Sequence, residues 1–230
     1  MDPISTRILL GTAGAGPSIV LPNIGDYWTE QGGYFVGTIS HTANGVATHA
    51  LITADRTLGA QGNGYTGSDL QCQASPVSLR GASSLYDGVA NSNAYGSTSP
   101  AVNFCTALNI AGFTDWYLPA IMELEIAYFH LKPLATPNST SYGTNDYSVP
   151  KRTSNYTSGN PGETSVQAFR RTTNPVGTQS FEAETNGGLH WSSTETSSTT
   201  GNRLDFGYGI VQNANKLNAE KVRAFRRIAL

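Results

Sequence analysis

The stretch Gly112-Phe-Thr-Asp-Trp-Tyr-Leu-Pro119 lies between two segments with helical periodicity, and its position decides how the chain is expected to fold. Upstream, Ser99-Pro100 predicts a helix start, because serine caps free backbone N–H groups and proline suits the first helical position. Apolar side chains then recur with a helical period until Gly112, where this helix is expected to end. A second helix is expected from Pro119 to Pro133, with one apolar face: Ile121, Leu124, Tyr128 and Leu131.

Segments rich in β-forming residues flank the two helices. Residues 33–40 and 46–53 surround Asn44-Gly45, a strong signal for a two-residue turn, and predict a β-hairpin. Three further strands are expected near the end of the chain, with a turn at 213–215: residues 188–194, 202–212 and 221–228. Strands, then two helices, then strands predict an α+β fold with a mostly antiparallel sheet.

Two long polar segments separate these elements. Residues 54–98 show little periodicity and are expected to form long loops. Residues 134–187 carry several tyrosines among Ser, Thr, Asn and Gly, and are expected to be too polar for the core. We expect the second segment to project from one edge and to carry recognition or subunit contacts.

The composition excludes several classes of protein. Only 13% of the 230 residues are charged and the net charge is −2, so the clustered basic residues that nucleic-acid binding needs are not expected. No apolar run is long enough to span a membrane, and no cysteine or histidine spacing indicates a metal site or a cofactor. Cys72 and Cys105 leave a disulfide open, but a buried free thiol is favoured for Cys105.

The N-terminal residues 1–23 differ from the rest of the chain. Gly11-Thr-Ala-Gly-Ala-Gly-Pro17 is flexible in character, Ser18–Leu21 is a short strand candidate, and no signal peptide is expected. We expect 1–23 to be an arm that docks on a larger particle or a neighbouring subunit, and 24–230 to be one compact domain. A disordered terminus is the alternative.

The central stretch also occurs in a family pattern, together with His190-Trp-Ser-Ser-Thr194, Val222-Arg-Ala-Phe-Arg-Arg227 and a start at Gly25–Phe35. In this order the motifs resemble bacterial and phage domains similar to the C-terminal domain of the Lcl adhesin, which have a C-type-lectin-like fold. Two departures stand out: Tyr117 replaces the usual arginine, and Ala224-Phe225 replaces a proline-containing ending. The motifs by which calcium-dependent lectins hold sugars are missing from the sequence.

The resemblance implies a structural role for most motif residues. Asp115 is expected to accept backbone N–H bonds before the second helix, and Glu123 to reach back to the helix start or to meet an arginine of the last strand. Arg223, Arg226 or Arg227 would then pair with Glu123 or Glu195. The full structural set is Asp115, Trp116, Leu118, Pro119, Glu123, Ser192, Ser193, Arg223 and Arg226.

The same resemblance implies binding rather than catalysis. The expected protein is a phage virion component, either a receptor-binding tail-fibre or tail-tip module or a capsid decoration, that forms a homo-oligomer and contacts other virion subunits through the arm. The alternative is a bacterial adhesin, at the cell surface or secreted, that recognises a glycan or a protein. Loop residues expected to contact a ligand are Trp191, Thr194, Glu195, Asn202, Arg203, Asp205 and Tyr208.

Catalytic alternatives find little support in the residues. Formylglycine-generating enzymes share the broad fold but need a close cysteine pair near the C-terminus, whereas both cysteines here precede Asp115. His41, His49, His130 and His190 show no nucleophile or metal spacing. The glycine-rich run near the N-terminus is not followed by the Gly-Lys-Ser/Thr of a phosphate loop.

Overall fold

The computed structural model describes residues 19–171, 177–181 and 188–230. Within these ranges the chain forms twelve short strands and four α-helices, and all strand pairs within the sheets are antiparallel. The strands are β1 (Tyr27–Trp28), β2 (Gly33–Ile39), β3 (His49–Thr53), β4 (Ala60–Gln61), β5 (Leu70–Gln71), β6 (Ser148–Val149), β7 (Leu189–Glu195), β8 (Thr200–Asp205), β9 (Ile210–Asn215), β10 (Ala219–Glu220), β11 (Val222–Arg223) and β12 (Phe225–Ala229). The helices are α1 (Arg56–Gly59), α2 (Gly88–Tyr95), α3 (Pro100–Thr106) and α4 (Ile121–Leu131). The predicted α+β class with mostly antiparallel sheets is confirmed.

The largest sheet has the order β1-β2-β3-β12, and β6 pairs with the free part of β2. Side chains alternate between its two faces: Ala50 and Ile52 enter one hydrophobic core, and Leu51 between them enters the other. The sheet is therefore buried on both sides. The α4 helix contacts β2 of this sheet and also β7 and β8 of a second sheet, which has the order β7-β8-β9. The short strands β4 and β5 pair with β11 and β10.

Two hydrophobic cores result from this arrangement. The first contains Trp116, Leu118 and Trp191, all almost fully buried, with α3 packed against them. The second lies under α4 and includes Phe181 and Phe206, whose rings stack at 4.2 Å between centroids. Aromatic stacking of this kind adds to the stabilisation that burial alone supplies.

The predicted hairpin is confirmed, but its two-residue turn is wrong. Ile39 pairs with His49, so residues 40–48 form a longer loop between β2 and β3. The Asn44 side chain accepts hydrogen bonds from the backbone N–H of Val46 and the hydroxyl group of Ser40. Asparagine here orders the loop with its side chain instead of closing a tight turn.

The structure corrects the C-terminal predictions. Residues 202–212 are not one strand, because β8 and β9 are joined by a turn at 206–209. The predicted turn at 213–215 belongs to β9, and the chain turns at 216–218 instead. The closing strand is interrupted at Ala224, whose N–H and carbonyl bond to Gly59 and Ala54. Gly209 lies at φ 69° with its backbone against the Tyr128 ring, and this close approach explains the turn.

The two long segments are more structured than expected. Residues 54–98 contain α1 and α2, so the prediction of loops there and of two helices in total is wrong. The α3 helix is confirmed but ends at Thr106, before Gly112. In the segment 134–187, Tyr156, Phe169 and Phe181 are buried in the second core, so it is not too polar for the core.

Most of the predicted arm lies outside the described residues, namely 1–18. Its described part includes Ile19, Val20 and Leu21, which are exposed and do not form the expected strand. Cys72 and Cys105 are both buried free thiols, as favoured for Cys105. No helix in the described ranges is long and apolar enough to cross a membrane.

Candidate functional site

Residues 112–119 form part of the buried frame of the molecule. The indole N–H of Trp116 donates to the Phe113 carbonyl at 3.0 Å, and Tyr117 exchanges two backbone hydrogen bonds with Phe225 of β12. Leu118 is fully buried, its N–H donates to the Ser92 hydroxyl, and Pro119 is buried beside it. These contacts fasten the start of α4 to the edge of the largest sheet.

Asp115 does not cap the helix as expected. Its carboxylate accepts two hydrogen bonds from Arg226, at 2.8 and 3.0 Å, although its side chain is 55% exposed. Arg226 is itself buried and donates to the Gln31 carbonyl, and its guanidinium carbon lies 3.8 Å from the Phe113 ring centroid. Asp115 therefore joins the central stretch to the last strand through a bidentate ion pair.

Glu123 does reach back to the helix start, as one of the two alternatives predicted. Its carboxylate accepts the Ala120 N–H at 2.7 Å and the Tyr117 hydroxyl at 2.7 Å. Tyr117, which departs from the family pattern, thus supplies the partner of Glu123. Burial raises the pKa of the Glu123 carboxyl to about 7, and the two hydrogen bonds and the charge of Arg227 only partly oppose that rise.

The expected pairing of C-terminal arginines with Glu123 or Glu195 is wrong. Arg223 is fully buried and donates to the backbone carbonyls of Ala54 and Gln179. Glu195 instead pairs with Lys216 at 2.6 Å, in a site where both side chains are almost completely buried. Ser192 donates to the Asn202 carbonyl, in line with its expected structural role. The Ser193 N–H donates to the Pro119 carbonyl, but the buried Ser193 hydroxyl has no hydrogen-bond partner in the described part of the chain.

The predicted ligand-contact residues lie mostly inside the protein. Trp191, Thr194, Glu195, Asn202 and Asp205 are buried, and the Arg203 side chain is only 17% exposed and paired with Glu220. Tyr208 alone among the seven is well exposed, at 48%. Burial argues against direct ligand contact by the other residues and leaves Tyr208 as the accessible member of that set.

A different group of chemistry-bearing side chains meets at the rim of the second core, where it is partly exposed. It combines residues from five segments: the loop after β2, β3, the start of α2, the residues before β6, and β12. We name it the His–Tyr cluster and define it as His41, His49, Tyr86, Asp87, Tyr147 and Arg227.

The aromatic rings of the His–Tyr cluster are in mutual contact. The His41 ring lies 4.3 Å from His49 and 5.1 Å from Tyr86, measured between ring centroids. Tyr86 in turn stacks on Tyr147 at 4.3 Å. The Ser40 N–H donates to the Tyr147 carbonyl, which ties the loop 40–48 to this row of rings.

Arg227 organises the polar side of the cluster. Its Nη1 donates to Asp87 Oδ1 at 2.9 Å and contacts His41 Nε2 at 3.1 Å. Because arginine is only a donor, His41 Nε2 must accept, and the proton of the neutral ring is therefore on Nδ1. Nδ1 faces Asp87 Oδ2 across 3.9 Å.

Protonation states in the cluster follow from burial and charge. Burial and the Arg227 cation lower the pKa of His41 to about 4, and the same two causes lower the pKa of His49. For Asp87, burial is outweighed by the Ala90 N–H and Arg227 hydrogen bonds, which hold its pKa below the ordinary value. At neutral pH both histidines are therefore uncharged, and the charges of Asp87 and Arg227 offset each other.

Sequence reasoning missed this cluster because no linear signal marks it. His41 lies in the loop after β2 and His49 in β3, and their partners come from positions up to 186 residues away. In the described parts of the chain, no group of three or more His, Cys, Asp or Glu side chains is placed to hold a metal ion.

A scan against models of known protein families and a search of curated proteins both find no match to this chain.

Proposed function

We propose that this chain is a non-catalytic phage virion protein that displays a C-type-lectin-like domain, as a receptor-binding tail module or a capsid decoration. The observation that carries the proposal is that the motif residues hold the fold together. Those that give the resemblance to the Lcl C-terminal-like domains are interlocked as one frame, whereas five of the six residues of the partly exposed cluster lie outside these motifs and only Arg227 belongs to both. Such a division between rigid frame and displayed surface suits a binding module.

The charged groups of the frame support a non-catalytic role. Arg223, Arg226 and Lys216 each hold backbone carbonyls or a carboxylate in place, and each is buried. A catalytic acid, base or nucleophile has to reach a substrate. These side chains instead fix loops that carry little regular secondary structure.

The N-terminal residues supply the proposed link to the particle. Ile19, Val20 and Leu21 expose apolar side chains ahead of Ile24, which packs against both cores. We assign residues 1–23 to contacts with other virion subunits or with further copies of this chain. Apolar side chains exposed in a row are typical of surfaces that become covered on assembly.

Immunogold electron microscopy with an antibody to this chain, on particles from its source culture, tests the location. Label at the tail would support a receptor-binding or tail component, and label over the head a decoration protein. A culture without labelled particles would refute the virion proposal and favour the alternative of an adhesin at a bacterial surface.

Deletion of residues 1–23 tests the arm. The shortened protein should fold with unchanged circular dichroism but should no longer co-purify with particles. Substitution of exposed Leu217 by Ser is the matched control, because it also removes exposed apolar surface but outside the arm. Co-purification of the arm-deleted protein at the wild-type level would refute the assignment.

A further inference from the structure

The His–Tyr cluster contains a donor and an acceptor that do not satisfy each other. Asp87 Oδ1 accepts from the Ala90 N–H and from Arg227, whereas Oδ2 has no hydrogen-bond partner within the described part of the chain. His41 Nδ1–H faces this oxygen at 3.9 Å, which is too long for a hydrogen bond. The His41 and Asp87 side chains are 16% and 23% exposed, so both remain partly accessible to solvent.

A hydroxyl group has the hydrogen-bonding pattern that this gap requires. It can accept from His41 Nδ1–H and donate to Asp87 Oδ2, and its oxygen can lie about 2.8 Å from both atoms. A carboxylate or phosphate would accept from His41 but would meet the Asp87 oxygen with like charge. An ammonium group would suit Asp87 but has no lone pair for the His41 proton.

Aromatic rings next to the gap add an apolar surface. Tyr86 stacks on Tyr147 and meets His41 edge-on, so the three rings form a continuous row that ends at His41, the residue on one side of the gap. The hydroxyl groups of Tyr86 and Tyr147 form no hydrogen bond with other described residues and are available to a ligand. Tyrosine is suited to this role because its ring packs against C–H groups while its hydroxyl binds polar atoms.

The charge of the cluster selects against ions. Arg227 is already engaged by Asp87 and contacts His41, so it offers no free positive charge to an anionic ligand. His41 and His49 are uncharged at neutral pH, so they add no positive charge either. The combination of a hydroxyl-sized polar gap, adjacent aromatic rings and balanced charge matches a molecule with several hydroxyl groups and apolar C–H faces.

We propose that the His–Tyr cluster binds a neutral saccharide without a metal ion, with one sugar hydroxyl between Asp87 and His41 and the pyranose C–H face against Tyr86. This inference rests on the proposed binding function and deepens it by naming the ligand class and the surface. It places recognition on the rim of the second core instead of the loops that contain Tyr208.

An array of neutral, sialylated and sulfated oligosaccharides, probed with the full chain in EDTA, provides the first test. Binding to neutral glycans that survives EDTA is the expected result. No binding to neutral glycans, binding only to anionic glycans, or complete loss of binding in EDTA would each overturn the inference. The virion proposal is judged separately by immunogold labelling, so either can fail while the other stands.

Variants locate the site with the oligosaccharide that the array identifies. Tyr86→Ala should weaken binding at least tenfold by isothermal titration calorimetry, and Tyr27→Ala is the matched control, because Tyr27 is 44% exposed and belongs neither to the cluster nor to the predicted contact residues. His41→Phe keeps an aromatic ring against Tyr86 but removes the Nδ1–H donor, so it should also weaken binding. This second variant tests the site independently if Tyr86→Ala folds poorly. Unchanged affinity in folded His41→Phe, or loss of binding in Tyr208→Ala alone, would overturn the assignment.

Discussion

Substitution of Glu123 by glutamine should stabilise the protein at neutral pH and not at acid pH. Burial raises the pKa of this carboxyl from an ordinary value of 4.5 to about 7. Glutamine keeps the acceptor for the Ala120 N–H and can rearrange its hydrogen bond with the Tyr117 hydroxyl, but it carries no charge. The variant therefore removes the cost of a buried charge while it keeps the local contacts.

The sign and size of the effect follow from proton linkage. Between pH 4.5 and 7 the folded protein binds a proton at Glu123 that the unfolded chain has lost, so wild-type stability falls as pH rises through this window. The difference between the two pKa values corresponds to about 3 kcal/mol, since one unit of pKa is worth about 1.4 kcal/mol. Below pH 4.5 both states are protonated, and above pH 7 both are charged, so the effect levels off on either side.

Urea unfolding of wild type and Glu123→Gln from pH 4 to pH 8.5 measures this effect. The variant's advantage over the wild type in free energy of unfolding should rise by about 3 kcal/mol between pH 4.5 and 7 and then stay constant. Glu30→Gln, at an exposed carboxylate, is the control for the general loss of one negative charge. A difference that does not change with pH would refute the account of Glu123 as a buried acid.

Further predictions concern buried polar groups and one glycine. Lys216→Met should destabilise the protein by about 3–5 kcal/mol in chemical denaturation, because it leaves Glu195 buried and unpaired. Burial lowers the pKa of His190 to about 3, so as pH falls the unfolded chain binds a proton at His190 before the folded protein does, and stability should be lost from pH 6.5 towards pH 3. NMR titration should show a neutral His190 ring at pH 5, and protonation near pH 6.5 would contradict this. Gly209→Ala should lower the melting temperature by several degrees, because φ is 69° and the added methyl group would clash with the Tyr128 ring. An unchanged melting temperature would show that the turn can relax.

The elements that the sequence predicted correctly have strong local signals. The Ser99 hydroxyl accepts the Val102 N–H at 3.0 Å, so the signal for the start of α3 acts as expected. By contrast, α2 was missed because it buries Asn91 and Ser92 and lacks an apolar stripe. Its start depends on the Asp87 side chain and its position on contacts with β7, which no local pattern reveals.

The candidate site was less predictable than the fold. Polar residues of the 191–205 region were expected to face a ligand, but a chain with many loops needs buried polar side chains to satisfy backbone groups. Glu195 illustrates this: its carboxylate accepts the N–H groups of Arg80 and Ala82, more than a hundred positions away. The His–Tyr cluster depends on the same kind of distant pairing, and therefore only the three-dimensional arrangement identifies it.

The ammonium group of Lys216 gives the loops a cation that cannot dissociate. It is surrounded by oxygen atoms: the Glu195 carboxylate at 2.6 Å and the carbonyls of Ser78 and Ser198 at 3.0 and 3.3 Å. A dissolved ion in such a cage would come and go with its concentration outside, whereas a covalently attached one is present in every molecule. The geometry of these loops is thereby set once, when the chain folds, and stays the same in fluids of very different ionic composition.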